Sequence, residues 1–156
     1  MIIFDLDGTL SDPSHRENLI DHSAAGSDKW DKFHDACIYD PPIDAMVQLF
    51  RTLVMEHHCA IWTARPERVR YATEKWLDKH VFNGMEWTNG DDPLFTPVRM
   101  RPANSLLTSA NLKESWLLEE LQKGRVQMAF EDRDSVVKMY RRHGILCAQV
   151  GNGNYE

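Results

Sequence analysis

The chain is poor in cysteine: its 156 residues contain three, Cys37, Cys59 and Cys147. An odd number in no metal-type spacing speaks against a disulfide framework or a thiolate zinc site, and reads as reduced, packed thiols. Long apolar runs are missing too. None approaches the roughly 20 residues of a membrane-spanning helix. No basic-then-apolar leader precedes the first apolar run, which starts at residue 2, so a cytoplasmic location without membrane association is expected. Basic excess is absent. The net charge of −6 argues against general coating of nucleic acid, although a local basic rim for a nucleic-acid end is compatible with it. No Gly-x-x-x-x-Gly-Lys-Ser/Thr occurs, which excludes a P-loop nucleotide kinase on this chain. Internal repeats and low-complexity segments are lacking. His15, His34 and the pair His57-His58 follow no zinc pattern and receive no role.

What is present is an ordinary globular composition, 42% hydrophobic and 27% charged, in a length suited to one domain with a sizeable core. Apolar runs at 2–7, 58–62, 126–130 and 145–150 read as strands, with 81–87 as a third strand. Helical periodicity marks 28–38, 42–57, 66–80, 111–123 and 133–143. Pro41-Pro42 breaks the chain and Pro66 suits a first helical turn. Asn111 with Glu114 looks like a capping-box start, with Gly124 as the matching stop. Asn89 to Pro93 is a turn cluster, and Pro97 and Pro102 oppose regular helix. The Gly151-Asn152-Gly153-Asn154 tail reads as loop. Strands alternating with helices imply an α/β fold with a parallel sheet covered on both faces. Trp62 and Trp76 are expected in the core. Arg99 and Arg101 read as a solvated loop or a basic rim.

The chemistry concentrates at strand ends. Ile2-Ile3-Phe4 runs into Asp5-Leu6-Asp7-Gly8-Thr9, which sets two carboxylates at the carboxyl edge of a strand, where open α/β sheets bind ligands. Strand alternation puts Asp5 and Asp7 on one face and Leu6 on the other. Two acids so close repel unless one is protonated or a cation lies between them, and Mg²⁺, a hard ion that takes oxygen ligands, fits. Thr63 ends the strand at 58–62 and precedes Arg65; a hydroxyl with backbone N–H groups can hold phosphate oxygens. Lys113 is a point charge able to reach phosphate. Glu131 and Asp132 end a further strand. Asp5, Asp7, Glu131 and Asp132 form a candidate carboxylate cup flanked by Thr63 and Lys113.

This ordered set resembles the haloacid-dehalogenase (HAD) superfamily of phosphotransferases. Its first motif matches Asp5-Leu6-Asp7-Gly8-Thr9, its second Thr63, its third Lys113 and its fourth Glu131-Asp132. A closer resemblance is to the 3′-phosphatase domain of phage polynucleotide kinase/phosphatase. It rests on Phe130-Glu131-Asp132-Arg133, on Val136 through Ile145, and on Cys147 and Gln149-Val150. The spacing from Asp5 to Arg16 fits an essential arginine there, and Arg65 fits another. The chain departs in having Glu-Asp for Asp-Asp, Ser109 where an acid precedes the motif lysine by four positions, and no kinase half.

The resemblance implies a three-layer Rossmann-like (HAD-like) sheet in the order 3-2-1-4-5 with at most a small cap. Residues 1–156 form a single domain on this reading, with 11–40 a candidate small flap and 81–110 a candidate second insertion. It implies Asp5 as the nucleophile that forms an aspartyl-phosphate, and Asp7 as general acid and then base. Thr63 and Lys113 would act on phosphate oxygens, and Thr9, Arg16 and Arg65 in substrate binding. Mg²⁺ would lie between a carboxylate oxygen of Asp5, the backbone carbonyl of Asp7 and Asp132, with Glu131 acting through water. Neither insertion is long enough to look like a full cap, and a weakly capped site admits a large substrate. The expectation is a Mg²⁺-dependent phosphatase of terminal 3′-phosphates on DNA or RNA, in nucleic-acid end repair. Two alternatives stay open: a 5′(3′)-nucleotidase or general small-molecule phosphatase with 13–40 as a lid, and a catalytically silent metal-binding interaction module. No stable protein partner is readable from the sequence.

Overall fold

The computed structural model describes residues 1–26, 28–84 and 98–151. Its centre is a five-stranded sheet, entirely parallel. The strands are β1 (Ile2–Phe4), β2 (Cys59–Pro66), β3 (Val98–Arg101), β4 (Met128–Glu131) and β5 (Leu146–Gln149), in the order β3-β2-β1-β4-β5. That is the order the family resemblance implies. The helices are α1 (Asp31–Asp35), α2 (Asp44–Val54), α3 (Arg70–Leu77), α4 (Ser109–Leu121) and α5 (Asp134–Arg142).

Alternation along β1 sorts the core. Ile2 and Phe4 join the cluster that contains Val47 and Phe50 of α2, Ile61, and Trp76 and Leu77 of α3. Ile3 faces the opposite cluster, with Trp62, Trp116 and Leu117 of α4, and Val137 and Tyr140 of α5. Each face of β1 is thereby covered, as a central parallel strand requires. Phe4 stacks on Phe130 at 4.6 Å between centroids and meets Phe50 edge-on at 5.1 Å. Cys37, Cys59 and Cys147 are buried and free. Among the described residues no helix is long and apolar enough to cross a membrane.

Several expected boundaries move. β1 stops at Phe4 instead of residue 7, because the chain then winds around one carbonyl. Leu6 O accepts from the N–H groups of Leu10 (2.8 Å), Ser11 (2.9 Å) and Thr9 (3.2 Å). β2 runs on to Pro66, four residues past the expected end. The third strand is Val98–Arg101; Val81 and Phe82 instead end the helical turn Asp78–Phe82 and are buried in the core. Apolar Val81 and Phe82 satisfy either periodicity, and packing decided between them. The turn cluster at 89–93, Pro97 and the tail beyond 151 lie outside the described residues. α4 begins at Ser109 and its cap is Thr108, whose hydroxyl accepts from Asn111 N at 3.2 Å. Arg99 and Arg101 belong to β3. Arg99 lies over the rings of Trp62 and Trp116 and pairs with Glu119, so the solvated-loop reading of this pair is corrected.

Candidate active site

The carboxyl edge of the sheet carries two adjoining charge clusters. In the first, Lys113 of α4 donates to Asp5 Oδ1 and to Glu131 Oε2, the latter at 2.6 Å. Asp5 follows β1, Glu131 ends β4, and Asp132 follows it. These three acids are buried, and ligand oxygens from each lie within 4.8 Å of one another. Asp5 keeps the ladder to β4 through its N–H to Phe130 O at 2.9 Å, so backbone pairing fixes how near the acids stand. Gly8 has φ +85°, and a Cβ there would run into the Asp132 carboxylate. Glycine is needed both for the turn and for that close approach.

Electrostatics in this cluster are unbalanced. Burial raises the Asp5 pKa well above the ordinary carboxylate range, Glu131 adds to this, and Lys113 opposes it. Burial, then Asp5 and Glu131, raise Asp132 as well. Burial alone would lower the Lys113 pKa, but Asp5 and Glu131 hold it above the ordinary lysine value. One ammonium faces three carboxylates. A small divalent cation with oxygen ligands fits this donor set, and Asp5, Asp132 and Glu131 are the side chains that would hold it. Lys113 engages only Oδ1 of Asp5; among the described residues no hydrogen bond reaches Oδ2.

The second cluster surrounds Asp7. Its Oδ1 accepts from Arg16 Nη2 and Arg65 Nη2, each at 2.6 Å, and from Ser11 Oγ at 3.2 Å. Its Oδ2 accepts from Arg65 Nε at 3.1 Å. Behind the guanidinium groups lies Asp40, which takes Arg16 Nε and Nη2 at 2.7 Å and Arg65 Nη2 at 2.7 Å. Arg16, Arg65 and the Asp40 side chain have no exposure, while the Asp7 side chain keeps 22%. Burial would raise the Asp7 pKa, but Arg65 and Arg16 overcome it and hold the carboxyl far below its usual range. Strand alternation does not extend through the turn at Leu6. The Asp7 carboxylate therefore lies in this cage, outside the group formed by Asp5, Glu131 and Asp132.

Of the remaining sequence-derived site residues, Thr63 is buried within β2, and its hydroxyl accepts from Arg65 N at 3.2 Å. Thr9 is fully buried, its hydroxyl without a partner among the described residues, and it does not line the cleft. Arg16 and Arg65 also stay off the cleft wall; besides Asp7 and Asp40, Arg16 donates to Phe33 O, and Arg65 to Thr73 Oγ1 and Ser11 Oγ. Sequence reasoning missed Asp40. Its burial between Tyr39 and Pro41 has no one-dimensional signature, because both partners are distant in sequence. Ser11 was missed as well. His34, given no role, lines the cleft; burial lowers its pKa to about 3, so its ring is neutral near pH 7.

Asp5, Asp7, Thr63, Lys113, Glu131 and Asp132 all open on one cleft of about 1310 Å³. Trp30 and Phe33 from the segment after β1, and Leu106 from the loop after β3, add apolar wall to it. Carboxylates with a cation between them, a cationic donor and a partly exposed second acid are the requirements of displacement at a phosphorus centre. Residues 1–155 match the family described as the polynucleotide kinase PNKP phosphatase domain. Two similar solved structures are entitled "Structure of Pnkp1/Rnl/Hen1 complex" and "Structure of the Pnkp1/Rnl/Hen1 RNA repair complex". The TM-scores are 0.71 and 0.70, each at 23% identity over 99% of this chain. The chain spans 46% and 43% of those two chains. No curated protein sequence matches it.

Proposed function

Because the chain belongs to the family of the polynucleotide kinase PNKP phosphatase domain, we propose that it removes terminal 3′-phosphates from polynucleotides, acting as one domain with Mg²⁺ as cofactor. The observation that carries the reading is the buried group of Asp5, Glu131 and Asp132 around Lys113, with Asp5 Oδ2 lacking a donor among the described residues. A bound Mg²⁺ supplies charge neutralisation, which lets an anionic nucleophile approach an anionic phosphate.

In the first step Asp5 Oδ2 attacks phosphorus and the bond to the 3′-oxygen breaks. Asp7 gives its proton to that leaving oxygen. The cage holds Asp7 ionised beforehand, and the negative charge of an arriving phosphate raises its proton affinity, so the proton can enter with the substrate. In the second step water attacks phosphorus and Asp7 takes the water proton. The bond to Asp5 then breaks, releasing inorganic phosphate. Lys113 and Thr63 stabilise charge on the phosphoryl oxygens. Arg16 and Arg65 act through Asp7, as positioning residues on this reading, because both are fully buried against it.

Size supports the polynucleotide. The cleft of about 1310 Å³ exceeds the roughly 300–1,000 Å³ of small-molecule sites. Cytoplasmic action is part of this reading, supported by three free, buried cysteines. The structural neighbours are titled as complexes, which is in tension with the expectation of no stable protein partner. The deciding experiment offers 3′-phosphorylated and 5′-phosphorylated oligonucleotides beside mononucleotides and follows phosphate release. Preference for the 3′-phosphorylated oligonucleotide is expected; preference for free mononucleotides over both oligonucleotides rejects it.

A further inference from the structure

Arg101, at the end of β3, and Arg133, between β4 and α5, line the same cleft wall. Arg133 N donates to Glu131 Oε1 at 3.1 Å, but among the described residues neither guanidinium group meets a carboxylate. Arg133 Nη1 donates to Ser109 Oγ at 3.0 Å. Arg101 donates to the backbone carbonyls of Ala64 (3.1 Å) and Leu107 (2.5 Å). The two guanidinium groups also repel each other: burial, then Arg133, lower the Arg101 pKa. Both residues are half-buried, and by contrast the fully buried charge clusters described above carry acids. Two unneutralised arginines on one wall are a cost to folding that an anion in the cleft would offset.

The position of that anion follows from α4. Ser109 and Lys113 are four residues apart and share one helix face. Arg133, held at Ser109, is thereby anchored about one helical pitch, roughly 5.4 Å, along α4 from the position that carries the ammonium marking the reacting phosphate, and Arg101 lines the same cleft. Resting on the phosphatase reading above, we propose that Arg101 and Arg133 form a second phosphate subsite, which holds the internucleotide phosphodiester on the 5′ side of the terminal nucleotide. The subsite is what makes a polynucleotide end, and not a nucleoside 3′-monophosphate, the preferred substrate. Phosphodiesters contacted by arginine bind with a salt-dependent affinity, so the preference weakens as salt rises.

The test measures kcat and KM for the wild type, Arg133→Gln and Arg101→Gln with three 3′-phosphorylated substrates. These are a dinucleotide, the same dinucleotide with a neutral methylphosphonate at its internal linkage, and a nucleoside 3′-monophosphate. The wild type is expected to favour the charged dinucleotide over the neutral one by about tenfold, a typical gain for a charge-assisted hydrogen bond, expressed in KM. Each substitution should erase most of that ratio. A wild type that treats both dinucleotides alike, or a ratio that survives both substitutions, overturns the subsite. Arg101→Gln also frees two backbone carbonyls; Arg133→Gln, which loses one serine contact, carries the test if that variant does not fold. Should the wild type hydrolyse none of the three substrates, the phosphatase reading fails by itself. The subsite is then judged by calorimetric binding of the two 3′-hydroxyl dinucleotides. Tighter binding of the charged one by the wild type alone supports it, and equal binding rejects it.

Discussion

The acid group around Lys113 and the guanidinium cage around Asp7 adjoin each other but are charged in opposite styles. Around Lys113, three carboxyl groups share one ammonium, and burial with mutual repulsion raises the pKa of Asp5 and Asp132. Around Asp7, two carboxylates face two guanidinium groups and the charges cancel. A balanced buried cluster holds its shape, whereas an unbalanced one is destabilised until a cation arrives. On the proposed reading, the contrast separates a rigid support from a site that takes a cation.

Substitution should divide the two regions most sharply in activity. On the proposed reading of Asp5 as nucleophile, Asp5→Asn is expected to reduce phosphate release by about 10⁴-fold or more. Its thermal midpoint without Mg²⁺ should equal or exceed that of the wild type, because a repelling charge is gone. A lowered midpoint with activity retained would remove the distinction. Asp40→Asn should behave in the opposite way. It leaves two buried guanidinium groups with one carboxylate, and urea unfolding should report a loss of about 3–5 kcal/mol.

Metal binding sharpens the comparison at the next level. Mg²⁺ at about 100 times its dissociation constant should stabilise the wild type by about 2.7 kcal/mol. Asp132→Asn should lose most of that gain in a thermal shift measurement, while a Ser11→Ala change in the cage should keep it. Proton titration supplies a related effect. Asp5 and Asp132 have folded pKa values above the unfolded carboxylate value of about 3.9. In that window the folded state binds more protons than the unfolded one, so without metal the stability should rise as pH falls from about 9 towards about 5. Mg²⁺ should flatten the slope. Asp7 has the opposite sign: its depressed pKa gives stability that is present above about pH 4 and lost as pH falls through its folded value. The smallest effect belongs to the exposed pair Arg99–Glu119, where Glu119→Gln should cost between 0 and about 1 kcal/mol.

Much of this was legible in the chain, for identifiable reasons. Ile2-Ile3-Phe4 followed by Asp5-Leu6-Asp7-Gly8-Thr9 names both a strand and the turn that ends it. Glycine is the residue that tolerates φ +85° against the Asp132 carboxylate. Strand and helix alternation gave the parallel sheet. The sequence reading failed where local signals were degenerate. Val81 and Phe82 suit a buried helix or a buried strand equally well, and they pack as the end of a helical turn. Arg99 and Arg101 look solvated by composition, yet both are anchored along β3, one over aromatic rings and the other on backbone carbonyls. Asp40 gave no sign, because its importance comes from Arg16 and Arg65, which reach it from 24 and 25 residues away.

By itself the sequence determined the α/β class with a parallel sheet, the strand that delivers Asp5, and the acids at the end of β4, because these depend on periodicity and turn chemistry within a few residues. Only the tertiary structure decided that Asp5 and Asp7 part company. The turn about the Leu6 carbonyl ends the strand's alternation and sends one carboxylate to Lys113 and the other to two buried arginines. Which charges end up facing each other is a matter of distance through space, and no local pattern encodes it.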